Sequence, residues 1–231
     1  MDFKGKKILI MGLGLLGGGA ACVKWFVKHG ARVTVTDLKS KKQLQQTFTS
    51  LKNLSVTWVL GRHRESDFKN SDLVIQNPDV PRESKYLKMA AKAGVGVENE
   101  ASIFLKNCRG QVIGVTGTRG KSTTSALIYN MLLPGSKAYL AGLPKMPMLD
   151  ILDRIKPAEK VVLELSSWQL EVLGAHNLSP QVAVVTNIYN DHLNRYSGMK
   201  QYIAAKKNIF KYQKKNDITV LNFGNKETKA M

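Results

Sequence analysis

Two stretches of this chain follow one plan, in which an apolar strand ends in a glycine turn and continues into a helix. The first has the spacing G-x-G-x-x-G over residues 12–17, after the strand 6–11. The second has the sequence GTRGKST over residues 117–123, after a strand that begins at residue 111. Such a turn directs backbone N–H groups and the positive end of the helix dipole toward phosphate. The sequence therefore predicts two nucleotide-binding domains.

Strands separated by helical stretches predict the fold class, which is α/β with parallel, doubly wound sheets. Further strands are expected at 31–37, 55–61, 71–78, 95–99, 160–166, 181–188 and 217–223, and a long helix at 197–213. We place a Rossmann-like domain at residues 1–106 and a second domain at 107–231. In both, ligands are expected at the carboxyl ends of the strands.

The second glycine turn is the stronger nucleotide signal. It departs from the P-loop pattern G-x-x-x-x-G-K-[ST] at one position, because Val115 stands where a glycine is required. The lysine of such a loop contacts the terminal phosphates, and the hydroxyl after it can bind Mg²⁺. The predicted ATP-binding residues are Gly117, Thr118, Arg119, Gly120, Lys121, Ser122 and Thr123.

Polar residues follow two other strands of the same domain. Glu164 ends an apolar strand, where an unpaired carboxylate is costly to bury, so we expect it to face a cation. His192 lies in a polar cluster after the strand 181–188 and is predicted to be a ligand rather than a structural histidine. The sequence thus predicts a Mg²⁺·ATP site.

Composition limits the classes of partner. The formal net charge of +18 favours anionic ligands, although a dispersed basic surface explains it equally well. Aromatic residues do not interleave with the basic ones as in RNA-binding proteins, so we expect no nucleic-acid partner.

Cys22 and Cys108 form no motif and are expected to be reduced. The glycine-rich N-terminus is a poor signal peptide, and no run is apolar enough to span a membrane.

Four motifs together resemble the Mur ligases, the ATP-dependent amide-forming ligases of peptidoglycan synthesis. They are GVTGTRGKSTT (114–124), LELSSWQLE (163–171), TNIYNDHLNRY (186–196) and YIAAKKNIF (202–210). The resemblance implies a P-loop-type central domain after the Rossmann-like one. The stretch after Glu164 is most similar to the branch of the family that adds D-glutamate.

The resemblance also implies a reaction. ATP would phosphorylate the terminal carboxylate of UDP-N-acetylmuramoyl-L-alanine, and D-glutamate would attack the acyl phosphate. The implied catalytic residues are Lys121, Glu164, His192 and Lys206, and the implied Mg²⁺ ligands are Ser122, Glu164, His192 and Lys206. In this family the lysine matched by Lys206 is carbamylated, which converts a cation into an anion.

The resemblance implies that the first glycine turn binds a UDP-sugar rather than NAD. Spacing alone does not separate these two interpretations. The implied UDP-sugar-binding residues are Gly12, Gly14, Leu15, Leu16, Gly17, Asp37, Leu38 and Lys39.

The family's C-terminal domain is expected to be missing from this sequence. We therefore predict a cytoplasmic, monomeric ligase of the D-glutamate-adding type that lacks this domain. The alternatives are a non-catalytic module that binds a UDP-sugar and ATP, another Mur-type amide ligase, and an NAD-dependent oxidoreductase.

Overall fold

The computed structural model describes residues 2–81, 83–191 and 195–231. It divides into two compact units. The first contains the described residues up to Ile103 together with Pro144–Asp150, and the second contains Phe104–Leu143 and Ile151–Met231. The predicted boundary between residues 106 and 107 falls near the end of a helix, α5 (Glu100–Asn107). The division into two independent domains at this position stays a prediction.

The described part of the first unit is built on a five-stranded parallel sheet in the order β3-β2-β1-β4-β5. Its strands are β1 (Lys7–Met11), β2 (Arg32–Asp37), β3 (Val56–Leu60), β4 (Leu73–Gln76) and β5 (Gly96–Glu98). Its helices are α1 (Gly18–Lys28), α2 (Gln45–Thr49), α3 (Glu65–Asn70) and α4 (Lys85–Lys92), and α5 begins in this unit.

β1 lies at the centre of this sheet because it is apolar on both faces, as a parallel strand covered by helices must be. Leu9 and Met11 pack with Phe68 of α3 and with Leu87 and Ala90 of α4. α3 and α4 therefore cover one face of the sheet.

The described part of the second unit has a five-stranded parallel sheet in the order β10-β9-β6-β8-β7. Its strands are β6 (Gln111–Thr116), β7 (Ala138–Ala141), β8 (Lys160–Glu164), β9 (Val182–Val185) and β10 (Ile218–Leu221). Its helices are α6 (Lys121–Leu132), α7 (Leu149–Leu152), whose first residues belong to the other unit, α8 (Ser167–Ala175), α9 (Met199–Lys207) and α10 (Lys226–Lys229).

The predicted parallel α/β class is confirmed, but one helix is shorter than predicted. The expected helix 197–213 forms only over Met199–Lys207. After it, the hydroxyl of Ser179 donates to the carbonyl of Asn208 and accepts the N–H of Tyr212. These bonds hold residues 208–212 as turns against the segment before β9, so the helix cannot continue.

Candidate functional site

The loop between β6 and α6 has a backbone that only glycine accommodates easily. Gly120 precedes the helix with a φ of 77°, in the left-handed region. At Gly117 a β-carbon would overlap the hydroxyl oxygen of Thr186. The first N–H groups of a helix have no carbonyl partner within it, so the start of α6 presents donors for an anion.

The segment after β9 fixes the shape of this loop. The backbone carbonyl of Asn187 accepts the N–H of Thr118 at 2.8 Å, and its side-chain oxygen accepts the N–H of Arg119 at 2.9 Å. The side-chain amide of Asn187 and the hydroxyl of Thr186 both donate to the carbonyl of Arg119, at 3.0 and 2.7 Å. The peptide of Arg119 is thereby fixed while the residue itself remains exposed.

Thr118 is buried beneath the loop and joins two further segments. Its hydroxyl oxygen accepts the N–H of Tyr189 at 3.0 Å and lies 3.1 Å from the hydroxyl of Tyr202 on α9. Lys121 donates from its ammonium group to the carbonyl of Thr118 at 3.2 Å. Thr118 therefore supports the loop from below, whereas Thr123 is exposed in the first turn of α6.

Ser122 and Glu164 meet at the mouth of the loop. The hydroxyl of Ser122 donates to Oε2 of Glu164 at 2.6 Å. β8, which ends at Glu164, lies beside β6, and Val115 is in register with Glu164. A hydroxyl and a carboxylate beside a phosphate loop form an oxygen donor set suited to Mg²⁺.

Lys206 is buried against the same loop, with 2% of its surface exposed. Its ammonium group donates to the carbonyl of Gly117 at 2.9 Å and, more weakly, to the hydroxyl of Thr116 at 3.4 Å. Burial lowers the pKa of Lys206 to about 7, and the nearby Lys121 ammonium acts in the same direction. The Asp191 and Glu164 carboxylates act in the opposite direction.

The structure thus brings Lys121, Ser122, Glu164 and Lys206 together around one loop. His192 lies outside the described residues. Within those residues no cluster of three or more His, Cys, Asp and Glu side chains could hold a metal ion. Ser122 and Glu164 offer oxygen ligands for a metal at this loop, and phosphate oxygens of a bound nucleotide would add to them.

The first glycine turn also depends on glycine conformations, with φ values of 84°, 65° and 99° at Gly12, Gly14 and Gly17. α1 begins directly after Gly17. The close approach between helix and turn is made by Gly19, where a β-carbon would overlap the carbonyl of Leu13.

Asp37 holds this turn from the end of β2. Its Oδ2 accepts the N–H of Leu13 at 2.8 Å, and its Oδ1 accepts the N–H of Lys39 at 2.8 Å. In an NAD-binding site, a carboxylate at this position would bond a ribose hydroxyl. The Asp37 carboxylate instead accepts hydrogen bonds from two backbone amides of the chain. Asp37 organises the site whatever ligand it takes.

A cavity of about 350 Å³ opens beside the turn. Among the predicted UDP-sugar-binding residues, Gly12, Gly14, Asp37, Leu38 and Lys39 line it. Leu15, Leu16 and Gly17 are not part of its lining, although Leu15 and Leu16 are exposed. The rest of the wall comes from Met11, His63, Asn77, Asp79, Val80, Pro81, Ser84, Lys85 and Tyr86.

Several residues with clear structural roles were missed by the sequence interpretation. Thr186 and Asn187 belong to a polar motif, and nothing local in the sequence predicts their bonds to Arg119. Ser166 and Gln169 form a reciprocal capping box at the start of α8, which the spacing S-x-x-Q could have predicted. Glu100 is buried, and its carboxylate accepts the N–H of Leu149 at 3.1 Å.

Models of known protein families match both halves of this chain. The MurD-like N-terminal domain of Mur ligases matches residues 6–99, and the Mur ligase middle domain matches residues 115–231. No helix in the described residues is long and apolar enough to cross a membrane.

Two curated relatives carry the name UDP-N-acetylmuramoylalanine--D-glutamate ligase. That of Roseiflexus sp. (strain RS-1) is 41% identical over 232 residues, which cover 100% of this chain and 50% of the relative. That of Borreliella afzelii (strain PKo) is 41% identical over 215 residues, covering 90% of this chain and 46% of the relative. The chain therefore spans about half the length of the curated relatives it matches.

A solved structure gives the same fold. It is the UDP-N-acetylmuramate:L-alanyl-gamma-D-glutamyl-meso-diaminopimelate ligase from Neisseria meningitides, with a TM-score of 0.64 and 15% identity. The match covers 98% of this chain and 74% of that one, and at this identity it supports the fold alone. With one family domain matched in each half and the phosphate loop assembled as described, the chain belongs to the Mur ligase family.

Proposed function

We propose that this chain binds the substrates of an ATP-dependent ligase that joins D-glutamate to UDP-N-acetylmuramoyl-L-alanine in peptidoglycan precursor synthesis. The observation that carries the proposal is the contact of Ser122 with Glu164 at the mouth of a glycine loop that ends in a lysine. The names of the two curated relatives support this choice of substrates.

The residues of the second unit fit ATP and Mg²⁺. The amides at the start of α6 and the Lys121 ammonium would bind the phosphates. Ser122 and Glu164 would hold Mg²⁺, since a hydroxyl and a carboxylate are typical ligands for this ion beside phosphate. When bound, Mg²⁺ supplies positive charge that offsets the repulsion between the anionic substrates.

The first unit fits the UDP-sugar. The turn at Gly12 and Gly14 would bind the diphosphate, and the cavity beside Asp37, Leu38 and Lys39 would take the nucleoside. Leu15, Leu16 and Gly17 would contribute from the exposed side of the turn. The Lys39 ammonium adds a positive charge for the anionic ligand at the rim.

Lys206 fits carbamylation because its lowered pKa leaves a large neutral fraction near pH 7. The neutral amine would attack the carbon of CO₂ and lose a proton, which leaves a carbamate anion on the side chain. Carbon-13 NMR with labelled bicarbonate should give a carbamate signal in the native chain and in Lys207→Gln but not in Lys206→Gln. A signal that persists in Lys206→Gln contradicts the proposal.

In the reaction, ATP would transfer its terminal phosphoryl group to the carboxylate of UDP-N-acetylmuramoyl-L-alanine. The amine of D-glutamate would then attack the acyl carbon, lose a proton and expel phosphate. Lys121 would contribute by stabilising negative charge as it shifts between the phosphates. Because the proposed substrates are ATP and a UDP-linked precursor, we place the reaction in the cytoplasm. His192 is a further expected ligand of Mg²⁺. The monomeric state stays a prediction.

Calorimetric titration of the chain with UDP-N-acetylmuramoyl-L-alanine, UDP-N-acetylmuramic acid and NAD tests the first unit. We expect both UDP-sugars to bind and NAD not to bind. ADP release is then measured with ATP, Mg²⁺ and both substrates. Release that requires both substrates supports ligation by this chain, whereas binding without release supports the alternative of a non-catalytic binding module. Binding of NAD but not of UDP-sugars overturns the proposal.

A further inference from the structure

The cavity of the first unit has one wall suited to phosphate and another suited to a ring. Its lining includes Gly12 and Gly14 at the glycine turn, and His63 and Tyr86, whose rings contact each other. Phosphate favours the backbone donors of the turn. The flat ring of a nucleobase would then lie against the wall formed by the His63 and Tyr86 rings.

The ring of His63 is held rigidly at this wall. It meets the ring of Tyr86 edge-to-face with centroids 4.8 Å apart, and that of Phe68 with centroids 5.7 Å apart. Its Nδ1 lies 2.7 Å from the hydroxyl oxygen of Thr36. A side chain held on three sides presents its remaining edge in one orientation.

The two contacts of the Thr36 hydroxyl favour one tautomer of the His63 ring. The Thr36 hydroxyl donates to the carbonyl of Arg62 at 3.2 Å, and a hydroxyl has only one hydrogen to donate. Both contacts are hydrogen bonds at the same time only when Nδ1 of His63 carries a proton and donates it to Thr36. Nε2 is then an acceptor.

This acceptor is available to a ligand. Within the part of the chain that the structure describes, Nε2 of His63 has no hydrogen-bond partner, and the half-buried ring lines the cavity. Burial lowers the pKa of His63, although the Asp37 carboxylate acts in the opposite direction, so burial favours the neutral ring.

The position of His63 along the sheet matches that of a nucleobase. Gly12 follows β1, Asp37 ends β2, and His63 follows β3, in the spatial order of the strands. Two strand spacings amount to about 10 Å. This separation is comparable to that between the base and the phosphates of a nucleoside diphosphate.

We propose that His63 recognises the nucleobase in this cavity by accepting the N3–H of a uracil on Nε2. This inference rests on the proposed function, which places a UDP-sugar here. Cytosine is nearly identical in shape but has an acceptor at N3, which cannot donate to Nε2. His63 thus distinguishes uracil from cytosine and is a specificity-determining residue of the first unit.

Calorimetric titration with UDP and with CDP tests the inference. We expect the native chain to bind UDP at least about tenfold more tightly than CDP, the effect of one neutral hydrogen bond. His63→Phe should reduce this preference about tenfold, and His63→Gln, which retains an acceptor, should keep part of it. His29→Gln is the matched control, because His29 bonds the carbonyl of Trp25 away from the cavity.

Nitrogen-15 NMR of the histidine rings in the native chain gives a test without substitution. UDP should shift the Nε2 signal of His63, and CDP should shift it less. An unchanged UDP preference in a folded His63→Phe, no preference in the native chain, or no shift of Nε2 overturns the inference while UDP binding remains. No binding of UDP at all overturns the proposed function of the first unit as well.

Discussion

The hydroxyl of Ser122 lies 2.6 Å from the Glu164 carboxylate, although 42 residues separate them in the chain. The contact exists because β6 and β8 are neighbours, so the residues that follow both strands meet at one edge of the sheet. It joins the hydroxyl of a phosphate loop to the carboxylate best placed to share a cation with it.

Glu164→Gln should weaken Mg²⁺-dependent ATP binding about tenfold, or about 1.4 kcal/mol, because an amide oxygen is a poorer ligand than a carboxylate. The measurement is calorimetric titration of ATP with and without Mg²⁺. Glu227→Gln on α10 removes the same charge outside this site and serves as the control. An equal loss of ATP affinity with and without Mg²⁺ in Glu164→Gln would contradict the assignment.

Two glycines of the phosphate loop should respond differently to alanine. Gly117→Ala should lower the free energy of unfolding by about 3 kcal/mol, because its β-carbon would overlap Thr186. Gly120→Ala has open space around the added carbon, and its backbone φ of 77° costs only about 1 kcal/mol. Urea unfolding of both variants measures the difference, and equal losses would show that packing against Thr186 is unimportant.

Asp37→Asn should weaken UDP-sugar binding and lower the free energy of unfolding by about 2 kcal/mol. The amide has one acceptor oxygen, so it cannot keep the charge-assisted bonds to both Leu13 and Lys39. Asp72→Asn is the matched control, because Asp72 accepts the N–H of Lys7 at the other end of β1. Titration calorimetry should show a loss of affinity only in Asp37→Asn, and unchanged affinity there would refute the role of this carboxylate.

Glu100 should make stability depend on pH. Burial raises the pKa of Glu100 to about 7, with the Asp150 carboxylate adding to the shift, while the N–H groups of Leu149 and Met148 oppose it. The folded protein binds the proton of Glu100 more tightly than the unfolded chain does. The contribution of Glu100 to stability is therefore full below the unfolded pKa near 4.5 and is lost as pH rises through 7.

The loss relative to Glu100→Gln should approach about 3 kcal/mol between pH 4 and pH 8. Urea unfolding of the native chain and of Glu100→Gln across this range measures the difference. Glu65→Gln, which removes an exposed carboxylate of α3, controls for net charge. A difference between the native chain and Glu100→Gln that is constant with pH would show that Glu100 does not titrate as the burial of its carboxyl implies.

Much of the fold could be predicted because its signals are local. Apolar runs such as β1 and glycine turns such as that at Gly117 and Gly120 depend on residues close together in the chain. α3 is short and polar on its outer face, so no apolar period predicts it, and the capping box of α8 lies within a family motif.

The site was predicted less completely. Lys121, Ser122, Glu164 and Lys206 were predicted and come together in the structure, while the role of His192 stays a prediction. Thr186 and Asn187 hold the loop through bonds to Arg119 that span 67 and 68 residues. Such pairs leave no periodic pattern for a sequence to show.

The sequence by itself determined the two strand–turn–helix units, the glycines that their turns require, and the family to which the motifs point. These depend on backbone sterics and on the period of apolar residues, which act over a few positions. Only the tertiary structure decided that Asp37 bonds the glycine turn, that Lys206 is buried against Gly117, and that His63 lines a cavity. Strand order and helix packing decide which distant residues meet, and the burial that results sets their charge and their hydrogen bonds.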